Sequence, residues 1–145
     1  MTEIVTARIS GLDELQRKLN TLPAELSRRA LKKGLRPAGL IFRNEMQQLG
    51  ARLTGWMLRN IIVRVKTNNL DQGSVKVSFS RKQNPARIGK EKHVPSAVQE
   101  ALWNEFGTSK MHAKPFIRPA FEHKKDEVVR TFAESLSDAL SEVFK

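Results

Sequence analysis

The strongest constraint in this 145-residue sequence is an apolar stripe near its C-terminal end, where Phe121, Val128, Phe132, Leu136, Leu140 and Val143 follow one another at steps of seven, four, four, four and three. An α-helix turns once in 3.6 residues, so steps of three and four keep side chains on one face. The spacing predicts a long amphipathic helix of about 24 residues, roughly 36 Å at 1.5 Å per residue, long enough to lie across a small sheet. Such a stripe is stable only against a second apolar layer, which the rest of the chain must supply.

The preceding residues offer both helices and strands. Glu3 to Ser10 carries Ile4, Ala7 and Ile9 in imperfect alternation and predicts a short strand ended by Gly11. Leu12, Leu15, Leu19 and Leu22 recur at helical spacing up to Pro23, which suits the first position of a second helix. That helix carries Leu26, Ala30, Leu31, Ala38, Ile41, Phe42, Met46 and Leu49, and ends at Gly50. Gly34 and Pro37 lie inside it and predict a kink or break, because an internal proline removes a hydrogen bond and crowds the preceding turn. Residues 54 to 61 read as a turn into a new element.

Ile61, Val63 and Val65 alternate with Ile62, Arg64 and Lys66, and Val75, Val77 and Phe79 alternate with Ser74, Lys76, Ser78 and Ser80. These are two half-buried strands. The Asn-, Asp- and Gly-containing stretch from Thr67 to Gly73 makes an antiparallel hairpin the simplest pairing. Arg81 to Pro95 has no hydrophobic period and is expected to be a flexible basic loop. Ser96 to Phe106 fits a helix running into Gly107 and equally a further strand, with the helix preferred. The fold class expected is α+β: one domain over residues 1–145, a small antiparallel sheet packed against a long N-terminal helical region and the C-terminal amphipathic helix.

Charge narrows the partners. The chain holds 26 Lys and Arg against 15 Asp and Glu, a net charge of +11. A balance this basic implies a polyanion or an acidic protein surface nearby. From Glu122 to Lys145 there are four basic and six acidic residues, so the tail is mildly acidic and the body basic. This polarity is either a solvated helix face or a means for copies to attract head to tail. Arg81, Lys82, Arg87, Lys90 and Lys92 are the candidates for sequence-blind contact with a polyanion such as duplex DNA, the plainer reading being a solvated loop. Cysteine is absent, the opening Met-Thr-Glu-Ile-Val-Thr lacks the form of a signal peptide, and no apolar run is long enough to span a bilayer. A soluble, intracellular protein without a membrane partner is expected.

No catalytic set stands out. His93, His112 and His123 lack the spacing of paired metal ligands. Gly107-Thr108 lacks the glycines and lysine of a phosphate loop, and no nucleophile elbow is present. The pairs Asp13-Glu14 and Asp126-Glu127 sit near expected helix starts, where the dipole favours carboxylates. No helix-turn-helix, zinc or ribonucleoprotein motif is present. Neither enzymatic activity nor a cofactor is expected.

Three segments in order carry a resemblance. They are Thr54-Gly55 with Leu58-Arg59-Asn60-Ile61; Trp103-Asn104-Glu105-Phe106-Gly107-Thr108; and Met111-His112-Ala113-Lys114-Pro115-Phe116-Ile117-Arg118-Pro119-Ala120-Phe121. With Gly-Leu-Asp-Glu-Leu at residues 11–15, this set resembles the tail-component family named after the gene-ten product of a lambdoid phage, related to the minor tail protein Z of phage lambda. The resemblance implies a structural virion or prophage protein of the neck or upper tail, acting in tail completion and head–tail joining. It implies assembly in the host bacterial cytoplasm, neighbours among head–tail junction and tail proteins, and a homo-oligomeric ring. The alternative class is a small basic DNA-binding protein that reads no sequence. The chain departs from the family's usual look over Arg81 to Pro95 and at Ala101-Leu102, where an aromatic strand is more typical.

Twelve residues of these segments are the candidates for the structural motif or interface: Thr54, Gly55, Leu58, Arg59, Glu105, Phe106, Gly107, Thr108, Pro115, Phe116, Arg118 and Pro119. Phe106-Gly107-Thr108 reads as a chain reversal with glycine at a positive φ and Phe106 anchored in the core. Glu105 is expected to face an arginine such as Arg118 or Arg59. The two prolines predict an extended stretch over 115–119, with Pro119 setting the helix start. Phe116 and Phe121 read as core residues or as a knob into a neighbouring subunit.

Overall fold

The computed structural model describes residues 12–50, 55–68 and 72–145. The strand expected over Glu3 to Ser10 lies outside the described residues, as do Thr54 and the tip of the hairpin loop. The elements run α1 (Asp13–Asn20), α2 (Ala24–Leu49), α3 (Trp56–Arg59), β1 (Ile61–Thr67), β2 (Gly73–Phe79), α4 (Ala97–Phe106) and α5 (Ile117–Val143). This is the α+β class, with two antiparallel strands packed against helices. Among the described residues no helix is long and apolar enough to cross a membrane.

Helix α2 is the central rod. Pro23 sits immediately ahead of it with its φ near the helical value, and the buried Ser27 hydroxyl donates to the Leu19 carbonyl, closing the elbow between α1 and α2. The break expected at Gly34 to Pro37 does not occur: α2 is one unbroken helix of 26 residues with Pro37 inside it. An interior proline costs about 3 kcal/mol, but Leu31, Leu35, Phe42 and Met46 of the same helix are all buried. Each such side chain contributes roughly 1.5–3 kcal/mol, so packing on both flanks outweighs the local defect.

On one flank lies the hairpin. Its register pairs Ile61 with Phe79, Val63 with Val77 and Val65 with Val75, and puts Arg64 opposite Lys76. Odd-numbered residues face α2. A Cβ at Gly39 would come within 2.6 Å of a Val63 methyl and 2.5 Å of a Val75 methyl, so the missing side chain is what lets the sheet rest on the helix backbone. Arg64 and Lys66, on the other face, are exposed.

On another flank lies α5, of 27 residues. It runs antiparallel to α2: Lys33 Nζ meets Glu142 at 2.7 Å near one end, and Glu45 lies 3.2 Å from His123 Nδ1 towards the other. Val128, Phe132, Leu136 and Leu140 of the expected stripe are buried, and Phe121 stacks on Phe42 with ring centroids 5.5 Å apart. The stripe read from the sequence finds α2, rather than the sheet, as its main neighbour.

Residues 96–106 are helical. Ser96 and Gln99 form a capping box, Ser96 N–H donating to the Gln99 side chain at 2.9 Å while Ser96 Oγ accepts from Gln99 N–H. The first residues of this helix also pair with the chain beyond β2, Val98 N–H donating to the Ser80 carbonyl and Ala97 N–H to that of Lys82.

Candidate functional site

The three motif segments, far apart in sequence, meet at one corner. Asn104 joins them from the middle: its Nδ2 donates to the Glu100 carbonyl at 2.8 Å and lies 3.8 Å from Met57 Sδ of the first segment. Its own carbonyl accepts from Lys114 N–H of the third segment at 2.7 Å. Between Asn104 and Lys114 the chain reverses at Gly107, where φ is +76°. Thr108 and Met111 pair across the turn. A Cβ at Gly107 would lie 2.9 Å from Ala113 N and 2.9 Å from the Met111 carbonyl, so both dihedral angle and space demand glycine.

Glu105 clasps this corner, and not through an arginine as the sequence suggested. Its Oε2 accepts from the N–H groups of Phe116 at 2.9 Å and Ile117 at 3.0 Å, and its Oε1 from Arg118 N–H at 3.2 Å. A helix leaves its first N–H groups without intrahelical partners. Here one carboxylate from α4 takes three of them, Pro119 removes the next by having none, and Ala120 N–H already reaches the Phe116 carbonyl. The negative charge also lies where the helix dipole favours it. This arrangement corrects the extended reading of 115–119. Helix α5 begins at Ile117, so Ile117 and Arg118 are helical despite the proline that follows. The bias of a pre-proline residue is small beside three charge-assisted hydrogen bonds.

The other expected residues divide into buried framework and exposed surface. Phe116 is buried and meets Phe79 edge-on at 5.9 Å, so it is a core residue. Leu58 is buried, and Gly55, at φ +70°, opens the short α3, its carbonyl accepting from the exposed Arg59. Thr108, Pro115 and Arg118 are exposed, and Pro119 is half-buried in the first turn of α5. Phe106 is the clear correction: it is 71% exposed, not anchored in the core. The inward face of α4 is taken by Ala97 and Ala101, and Phe106 points away from it beside Trp103, itself 38% exposed. Sequence reading missed this pair because large aromatic side chains are usually core. The alanines at 97 and 101, one turn apart, were the signal for which face lies inward.

The basic loop is tied down more than its composition suggested. Gln83 Nε2 donates to the Val94 carbonyl at 2.7 Å, and the buried Asn84 accepts from Ala86 N–H at 3.0 Å. Arg87 grips Glu91 with two bonds of 2.8 and 2.7 Å and approaches Glu100 at 3.4 Å. That contact holds the Glu91 carboxyl below its ordinary range, whereas burial pushes that of Glu100 up. Arg87, one of five expected polyanion contacts, is therefore already neutralised; Arg81, Lys82, Lys90 and Lys92 are exposed. Among the described residues no group of three His, Asp or Glu side chains is placed to hold a metal ion. No family model, curated protein or solved structure matches this chain.

Proposed function

We propose that the protein is a structural part of a tailed-phage virion or prophage particle, acting at the head–tail junction or upper tail by protein–protein assembly. The observation that carries the reading is the exposed Trp103–Phe106 pair on the clasped corner. Interfaces take their binding energy from aromatic anchors held in place before the partner arrives. Phe106 extends from a helix fixed by the Asn104 and Glu105 bonds, so little ordering is lost when it is covered. The ordered motif set around the corner, with its resemblance to the tail-component family, supports neighbours from the neck and tail, and copies of the chain itself in a ring. In this reading the corner binds and positions, and does no chemistry.

Co-sedimentation with the head and tail proteins encoded beside its gene tests this reading. The wild-type chain is expected to travel with them, and Phe106→Ser to fold with an unchanged circular dichroism spectrum yet stay in the supernatant. Association by Phe106→Ser as strong as wild type, or failure of the wild-type chain to associate, contradicts it.

A further inference from the structure

We infer that the outward face of the β1–β2 hairpin, continued by Arg81 and Lys82, is a docking surface for the phosphate backbone of a nucleic-acid duplex. This rests on charge and relief on a different side chain set from the Trp103–Phe106 corner, and stands or falls independently of it.

The sequence from Gly55 to Lys90 holds eight Lys and Arg and one acidic residue, Asp71. Pairing gathers part of this excess. Arg64 lies directly opposite Lys76, and Lys66 follows two residues along the same face opposite Ser74. The register is fixed by the apolar odd-numbered face that rests on α2, and it brings these cations together on the opposite face. Same-face positions on a strand recur at about 6.7 Å, and together they make a row of positive charge.

The row ends in a groove. Ile62, Arg64, Phe79, Ser80, Arg81 and Lys82 line a depression of about 390 Å³, three of whose six walls are basic. Lys66, Arg81 and Lys82 form no ion pair among the described residues, in contrast to Arg87, which two carboxylates hold. A row of cations leading into a cationic depression fits a chain of phosphates.

An acidic protein fits less well. Protein interfaces have a centre depleted in charge, lysine above all, and rich in aromatic side chains. Here the centre is Arg64, Lys66 and Lys76, and Phe79 on the groove floor is only 1% exposed. The half-buried Trp56, whose Nε1 donates to the Lys82 carbonyl at 3.2 Å, is a lone ring beside this groove, whereas a single strand needs successive aromatic platforms for its bases to stack on. Duplex phosphates require only charge and reach, and protein–DNA surfaces are polar and strongly basic.

The test is fluorescence anisotropy with a labelled DNA duplex of random sequence across a salt series. If all five cations contact phosphates, affinity falls roughly 500-fold between about 50 and 200 mM salt. The double variants Lys66→Gln/Lys76→Gln and Arg81→Gln/Lys82→Gln are each expected to weaken binding by about tenfold or more and to lower the salt slope by about two. A control of equal charge change on α2, Arg28→Gln/Lys32→Gln, stays within about twofold of wild type. Arg28, Lys32, Lys66, Arg81 and Lys82 are exposed and Lys76 is half-buried, and circular dichroism checks each fold. The inference is overturned if the control weakens binding as much as the hairpin variants, because net charge alone then suffices. Displacement of the duplex by polyglutamate at equal charge overturns it in favour of an acidic protein. Tighter binding of single-stranded DNA overturns it in favour of a stacking site.

Discussion

The corner at Glu105 and the outer face of the hairpin treat charge in opposite ways. At the corner one carboxylate accepts three backbone N–H groups and a proline removes the next donor, so the start of α5 is closed. On the hairpin an arginine and a lysine stand opposite one another, with no carboxylate in either strand. The first pattern stabilises this fold from within. The second gathers positive charge on the face turned away from α2. The carboxylate at the corner belongs to the architecture, and the gathered cations are the surface that the proposed duplex would meet.

Substitutions ranked by expected cost separate these roles. Leu136→Ala, in the seam between α2 and α5, should cost about 2–5 kcal/mol in urea unfolding, because it removes a fully buried side chain and leaves a cavity. A cost below that of an exposed substitution would break the view that this seam is the core. Gly107→Val follows at roughly 2–4 kcal/mol, combining a positive φ with backbone contacts that leave no room for a side chain. His112→Ala, exposed on the same turn, should be near neutral, and equal effects of the two would remove the turn assignment. Glu105→Ala is expected to cost about 1–3 kcal/mol by leaving three donors without a partner. Glu105→Gln should recover part of this, since an amide oxygen still accepts.

The smallest effect belongs to the exposed Lys33–Glu142 pair. Lys33 holds the Glu142 carboxyl below its ordinary value of 4.5. Its contribution is therefore present at neutral pH and fades as acid protonates the folded-state carboxylate. Solvent screens such a pair, so Glu142→Gln should leave the melting temperature at pH 7 unchanged within error. A clear loss there would mean that surface charge also holds the framework, and would blur the contrast between the two regions.

Periodic signals were legible in the sequence and non-local ones were not. The α5 stripe, the two strands and the glycine reversal all follow from spacing or turn chemistry within a few residues, whereas residues 96–106 fit a strand as well as the preferred helix, and only the capping box of the folded chain decides between them. Pro37 was misread as a break because its cost is local while the compensation comes from distant partners, Val63 and Val75 among them. Phe106 was misread because composition says that a phenylalanine is apolar and cannot say which side of a ten-residue helix faces inward. Glu105 was given an arginine partner because opposite charges suggest one another, whereas the positive end of a helix is visible only once the chain is folded. Arg64 and Lys66 were legible as one strand's polar face, but the opposition of Arg64 to Lys76 needed the register.

Amide hydrogen exchange at Phe116, Ile117 and Arg118 tests the clasp most directly, since these three donors have one acceptor in common. In the wild-type chain all three should exchange slowly, and in Glu105→Ala they should speed up together while amides in the middle of α5 keep their protection. Wild-type exchange at these positions as fast as at the exposed His112 and Ala113 would contradict a corner fixed by Glu105, and with it the platform on which Trp103 and Phe106 stand.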